Sequence, residues 1–100
     1  MNDIRLANTE ERSEQSQGRF WLPALEDRQT LRPGDYAKII FETAIISGER
    51  MWVEVVTKTP EGRYLGILDN IPVVVLAVKR GDMIEFGPEN VCEILRRGQC

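Results

Sequence analysis

The stretch Met51-Trp52-Val53-Glu54-Val55-Val56-Thr57-Lys58 decides the fold class. Met51, Val53 and Val55 alternate with Trp52, Glu54, Val56 and Lys58. That is the two-residue period of a strand with one face in a core and the other facing water. The β-branched and aromatic residues that fill it suit a pleated surface. Immediately downstream, Thr59-Pro60-Glu61-Gly62 has the composition of a tight turn. Arg63 to Leu68 then returns antiparallel as the second arm of a hairpin. Gly66 within that arm predicts a bulge or a close crossing of backbones. Upstream, Tyr36-Ala37-Lys38-Ile39-Ile40-Phe41-Glu42 is a second strand-length segment. It is joined to the first by residues 43–50, with Ser47-Gly48 as the turn signal.

Beyond the hairpin, Asp69-Asn70-Ile71-Pro72 interrupts the sheet. Val73 to Val78 is wholly apolar and reads as a strand covered on both faces. Lys79-Arg80-Gly81-Asp82 turns, Met83 to Phe86 is a short strand, Gly87-Pro88-Glu89-Asn90 turns again, and Val91 to Leu95 is a last strand. Five to six short strands with turn signals every eight to twelve residues predict a mainly β fold. The expected architecture is a small barrel-like or strongly bent antiparallel sheet with one short N-terminal helix. Gly34-Asp35 and Gly81-Asp82 both stand at strand entrances, which reads as recurring turn chemistry and not as a duplicated repeat. The Arg80-Gly81-Asp82 triplet matches an adhesion motif by letter only.

The globular domain is expected over 20–95, beginning at the abrupt apolar cluster Phe20-Trp21-Leu22-Pro23. Pro23 at a first helical position, followed by Ala24 to Leu31 with acids in the early turns, predicts the short helix. Leu22, Leu25 and Leu31 would face inward. Residues 1–19, rich in Glu, Ser, Gln and Arg, read as a disordered polar tail, with a short helix that docks on a partner as the alternative. Residues 96–100 read as a flexible C-terminal tail. Cys92 shares strand parity with Ile94 and reads as a small buried hydrophobe.

Composition narrows the function. One hundred residues make one domain. A net charge of -3 argues against nonspecific nucleic-acid binding, which rests on neutralised phosphates. The pairs Lys79-Arg80 and Arg96-Arg97 read as solvated surface. Met1 to Arg5 lacks the apolar core of a secretory signal, and no apolar run is long enough to span a membrane, so a cytoplasmic setting is expected. Two cysteines without a framework fit a reducing compartment. Histidine is absent, which removes the commonest general base and neutral metal ligand. No Gly-rich phosphate loop and no zinc-ligand spacing occur, and no cofactor or metal is implied. Glu49, Glu54, Asp69, Glu85 and Glu89 could support acid–base or divalent-metal chemistry, but nothing in their spacing makes any two converge.

The candidate binding residues are Arg50, Trp52, Tyr64, Asp69 and Asn70. Asp69 and Asn70 lie in a polar loop whose side chains can cap turns. Trp52 and Tyr64, flanking the hairpin, would supply an aromatic surface of the kind favoured at interfaces. Arg50 could hold a carboxylate bidentately, with Glu49, Glu85 or Asp69 as partner.

Several segments carry a resemblance: Gly48-Glu49-Arg50-Met51-Trp52-Val53, Gly66-Ile67-Leu68-Asp69-Asn70-Ile71-Pro72, and Gly81-Asp82-Met83-Ile84-Glu85-Phe86-Gly87-Pro88-Glu89. Together they resemble a family of small bacterial proteins classed as a domain of unknown function, over about residues 20–95. The resemblance implies a cytoplasmic domain, with a related group proposed to include immunity proteins against bacterial toxins. In that pattern a His often occupies the position of Asn90, so this chain departs from it there. The resemblance supplies no reaction. The reading favoured is a noncatalytic protein-interaction module. A carboxylate- or metal-dependent enzyme and a nucleic-acid-binding small β barrel are the alternatives.

Overall fold

The computed structural model describes residues 4–17 and 21–98. The elements are β1 (Arg5–Leu6), α1 (Thr9–Gln15), α2 (Leu25–Gln29), β2 (Tyr36–Glu42), β3 (Glu49–Lys58), β4 (Tyr64–Leu68), β5 (Met83–Phe86), a 3-10 turn (Pro88–Asn90) and β6 (Val91–Leu95). β2 to β5 form an antiparallel meander. β6 then returns to pair with the first half of β2, and β1 continues the same edge opposite Phe41 and Glu42. The protein is mainly β, a six-stranded antiparallel sheet curled into a half-barrel.

Alternation builds the concave core. Ala37, Ile39 and Phe41 of β2 face Met51, Val53 and Val55 of β3, all at most 1% exposed. Leu68, Ile84, Phe86 and Val91 complete the lining. Tyr64 stacks on Phe86 with ring centroids 5.2 Å apart. Its hydroxyl donates to the Arg28 carbonyl (2.8 Å) and accepts from the Leu31 amide (3.2 Å), so the core ring also pins α2 across the barrel.

The two Gly-Asp turns are superimposable in their bonding. In each, the Asp carboxylate accepts from the amide three residues earlier: Asp35 from Arg32 (2.8 Å) and Asp82 from Lys79 (2.9 Å). The Asp amide donates back to the same residue's carbonyl. The glycine amide reaches the neighbouring strand, Gly34 to Val55 and Gly81 to Leu68, and that strand's amide returns a bond to the Asp carbonyl. Both glycines need positive φ, +94° and +96°, where a side chain is disfavoured. One device thus starts β2 beside β3 and β5 beside β4.

Four expectations are corrected. Residues 5–15 form β1 and α1 instead of a tail, so there are two short helices and not one. Polar bonds hold them. Asn8 caps α1 by accepting from the Glu11 amide, the Thr9 hydroxyl lies 2.8 Å from the Glu89 carbonyl, and Asn90 donates to the Ala7 carbonyl (3.1 Å). Buried Arg28 links Glu10, Pro23 and Pro88. The remaining positions of the expected tail, 1–3 and 18–19, lie outside the described residues, as does Phe20.

Second, Val73 to Val78 is not a strand. The Glu49 carboxylate accepts from the amides of Val73, Val74 and Val75 (2.7, 3.0 and 2.7 Å), which takes them from any ladder. Val75 is buried, while Val73 and Leu76 are more than three-quarters exposed. Third, Arg96 and Arg97 are not a loose end: the Arg97 amide donates to Asp35 at 2.7 Å and the Arg96 guanidinium reaches Thr30 and Asp35. Residues 99–100 lie outside the described ones. Fourth, the expected inward set is incomplete, and Cys92, buried as expected, lies on the opposite face from Ile94. Leu25 and Trp21 are exposed. Cys92 falls at a bulge between Lys38 and Ile39, so it packs with Ala7 and Ile40 on the convex side while Ile94 packs against the main core.

Gly66 is the predicted close crossing. A β-carbon there would lie 2.5 Å from Val53 Cγ1 and 2.6 Å from the Glu54 carbonyl oxygen. The backbone oxygen cannot swing away. Gly66→Ala is therefore expected to lower unfolding free energy by about 3 kcal/mol in denaturant titration, whereas Gly81→Ala, with open space but positive φ, costs about 1–2 kcal/mol.

Candidate functional site

The convex face of β2, β3 and β6 carries two aromatic side chains outside the core, Tyr36 and Trp52. Register sets Tyr36 opposite Glu54 and Lys38 opposite Trp52, with Leu95 and Glu93 alongside from β6. Trp52 is half-buried; the Lys38 ammonium stands 4.7 Å from its ring centroid and 3.3 Å from Glu93. Tyr36, Trp52, Asp69 and Leu95 enclose a hollow of about 220 Å3. Glu54, with burial and Asp69 adding to it, pushes the Tyr36 hydroxyl above its ordinary range, so it stays a neutral hydrogen-bonding tip.

Of the five candidate residues, the structure brings Trp52 and Asp69 into one hollow. Asn70 stands directly behind it: its side-chain oxygen accepts from the Trp52 amide, and the Asp69 amide donates to the Trp52 carbonyl (2.9 Å). Its role is to hold the loop against β3. Tyr64 is elsewhere. It is fully buried and stacked in the concave core, so it contributes no surface. Arg50 is exposed on the convex side, directly opposite Ile40 in the β2–β3 register. The three carboxylates expected to pair with it bind other groups: Glu49 the amides of Val73 to Val75, Glu85 the Arg63 guanidinium (2.9 Å), and Asp69 that of Arg80 (3.1 Å).

Of the five candidate carboxylates, Glu85 and Glu89 come together, around a guanidinium. Glu85 and Glu89 both bind Arg63, and Asp69 lies apart on Arg80. Among the described residues no three metal-ligating side chains converge. Cys92 is buried against Ala7 and Ile40, and that burial pushes its thiol up, away from the reactive thiolate. Asn90, at the position where the resembling family often has His, is itself buried, with its side chain bonded to Gly87 and Ala7. Among the described residues no helix is long and apolar enough to cross a membrane.

Tyr36 and Leu95 were not singled out from sequence. The alternation of β2 already put Tyr36 with Lys38 on the outward face. Meeting Trp52 depends on the register between β2 and β3, which no local pattern specifies. No protein-family model matches the chain, and no curated protein or solved structure matches it either.

Asp35 anchors this end of the sheet. Burial alone would raise its carboxyl, but the Arg97 and Arg32 amides and the Arg96 guanidinium outweigh it and hold the pKa below the ordinary value. The folded state therefore prefers the carboxylate. Its stabilising contribution is complete above the unfolded value of about 3.9 and disappears as pH falls through the lower folded value. Asp35→Asn should be less stable than wild type at pH 7, and the stability gap should narrow on acidification from about pH 4 downward. Urea unfolding at a series of pH values measures this; a constant gap across the acid limb would contradict it.

Proposed function

We propose that the protein is a noncatalytic interaction module that binds another protein through the convex hollow of Tyr36, Trp52 and Leu95. The observation that carries this reading is Trp52. It is held half-exposed, with its backbone fixed on both sides by the Asp69-Asn70 loop and its ring face against Lys38. A rigid aromatic group with few rotamers to lose is the type of residue that concentrates binding energy in protein interfaces. The rim formed by Glu54, Asp69, Glu93 and Lys38 carries three carboxylates to one ammonium, which suits a protein surface with a basic patch better than a polyanion. That acidic rim also weighs against the nucleic-acid reading, which needs a basic aromatic stripe. The resemblance to domains associated with immunity to bacterial toxins would make a toxin the partner and the cytoplasm the setting.

The test is a native pull-down with the full chain, followed by quantitative binding of the captured partner. Trp52→Ala should weaken binding by about 2 kcal/mol or more. Ile45→Ala, on the exposed β2–β3 connection, should leave affinity within about 0.5 kcal/mol. A partner that binds both variants alike would place the interface elsewhere.

A further inference from the structure

Arg32, Arg96 and Arg97 border one hollow where the loop before β2 passes the end of β6. With Thr30, Pro33 and Asp35 they line a hollow of about 560 Å3. The carboxylates here are already engaged: Asp35 by the Arg32 and Arg97 amides and by Arg96, and Asp27 by Arg96 at 3.5 Å. Arg96 is thereby fixed in place, with a further bond to the Thr30 carbonyl. The Arg32 and Arg97 guanidiniums have no hydrogen-bond or ion-pair partner among the described residues. The lining itself holds three arginines and one carboxylate, a positive excess in a chain whose net charge is negative. Gly34 makes the arrangement possible. A β-carbon there would lie 2.8 Å from Arg97 Cδ, so the absence of a side chain lets Arg97 lie across the loop.

We infer that this hollow binds the phosphate group of a phosphorylated small molecule, with Arg32 and Arg97 clasping the oxyanion beside the fixed Arg96. A planar carboxylate is satisfied by one guanidinium fork. A phosphate monoester presents three terminal oxygens and accepts several forks at once, which matches the number gathered here. The site is separate from the Trp52 hollow, and its test does not depend on a protein partner.

The experiment is titration of 15N-labelled full-length protein with inorganic phosphate at constant ionic strength, chloride replacing phosphate in the control. Saturable shifts are expected at the amides of Arg32, Gly34 and Arg97, with acetate binding more weakly. The double variant Arg32→Gln/Arg97→Gln retains the backbone bonds to Asp35 and should bind phosphate at least about tenfold more weakly. Arg32→Lys/Arg97→Lys, which keeps charge and loses the forks, should also bind less tightly than wild type and serves if the Gln variant is poorly folded. Shifts that never saturate or are matched by chloride would overturn the proposal. So would acetate binding as tight as phosphate, or variants that titrate like wild type.

Discussion

The buried carboxylate of Asp35 holds the half-barrel's ends together. It collects the Arg32 amide from the preceding loop and the Arg97 amide from the end of β6, with the Arg96 guanidinium beside it. Its own main chain meanwhile exchanges bonds with Val55 of β3. Three segments distant in sequence therefore converge on one residue. A buried charge is costly unless its hydrogen-bonding capacity is filled, and here it is filled mainly by main-chain donors that cannot move without displacing β2 or β6. The return of β6 to β2, which gives the sheet its curl, is coupled to the same contacts that assemble the arginine hollow.

The Gly81-Asp82 turn repeats that geometry at β5 without the C-terminal arginines. The comparison separates what the turn does from what Asp35 adds. The shared part starts a strand in register beside its neighbour, using a positive-φ glycine and an Asp that satisfies the amide three residues back. The added part is electrostatic and belongs to the β6 end alone. A repeated pair of letters thus marks a repeated local solution, consistent with turn chemistry as its origin.

The sheet was legible because strand periodicity is local. Met51, Val53 and Val55 alternate inward, and Gly66 stands where a side chain has no room beside Val53 and Glu54. What sequence did not disclose depends on distant polar partners. Residues 5–15 have too little apolar surface to signal order, yet Thr9, Asn90 and Arg28 satisfy one another's neighbourhoods across the fold. Val73 to Val78 has a strand's composition, but the Glu49 carboxylate captures three of its amides, so Val73, Val74 and Leu76 stand in water while Val75 reaches the core. Tyr64 has a strand position and a polar tip, and its placement inside follows from Phe86 and Arg28, which are far from it in sequence. Within the candidate site, Trp52 and Asp69 were visible as residue types. Tyr36 required the β2–β3 register.

The distribution of polarity between the two faces carries the functional argument further. The concave face is filled by Tyr64, Phe86 and Phe41, all fully buried. The convex face instead keeps Trp52 and Tyr36 accessible, and the arginines lie at its β6 end, sharing Leu95 and Arg96 with adjoining hollows. Recognition groups that sit on strands and are fixed through main-chain bonds lose little freedom on contact, so the scaffold supplies preorganisation. Acid–base catalysis would instead require two titratable groups held at a shared point in contrasting environments. Here Glu85 and Glu89 are both spent on Arg63 and Asp69 on Arg80. Those pairings tie the carboxylates to arginines while Trp52 and Tyr36 stay on the open face, and it is on this contrast that the proposed binding role rests.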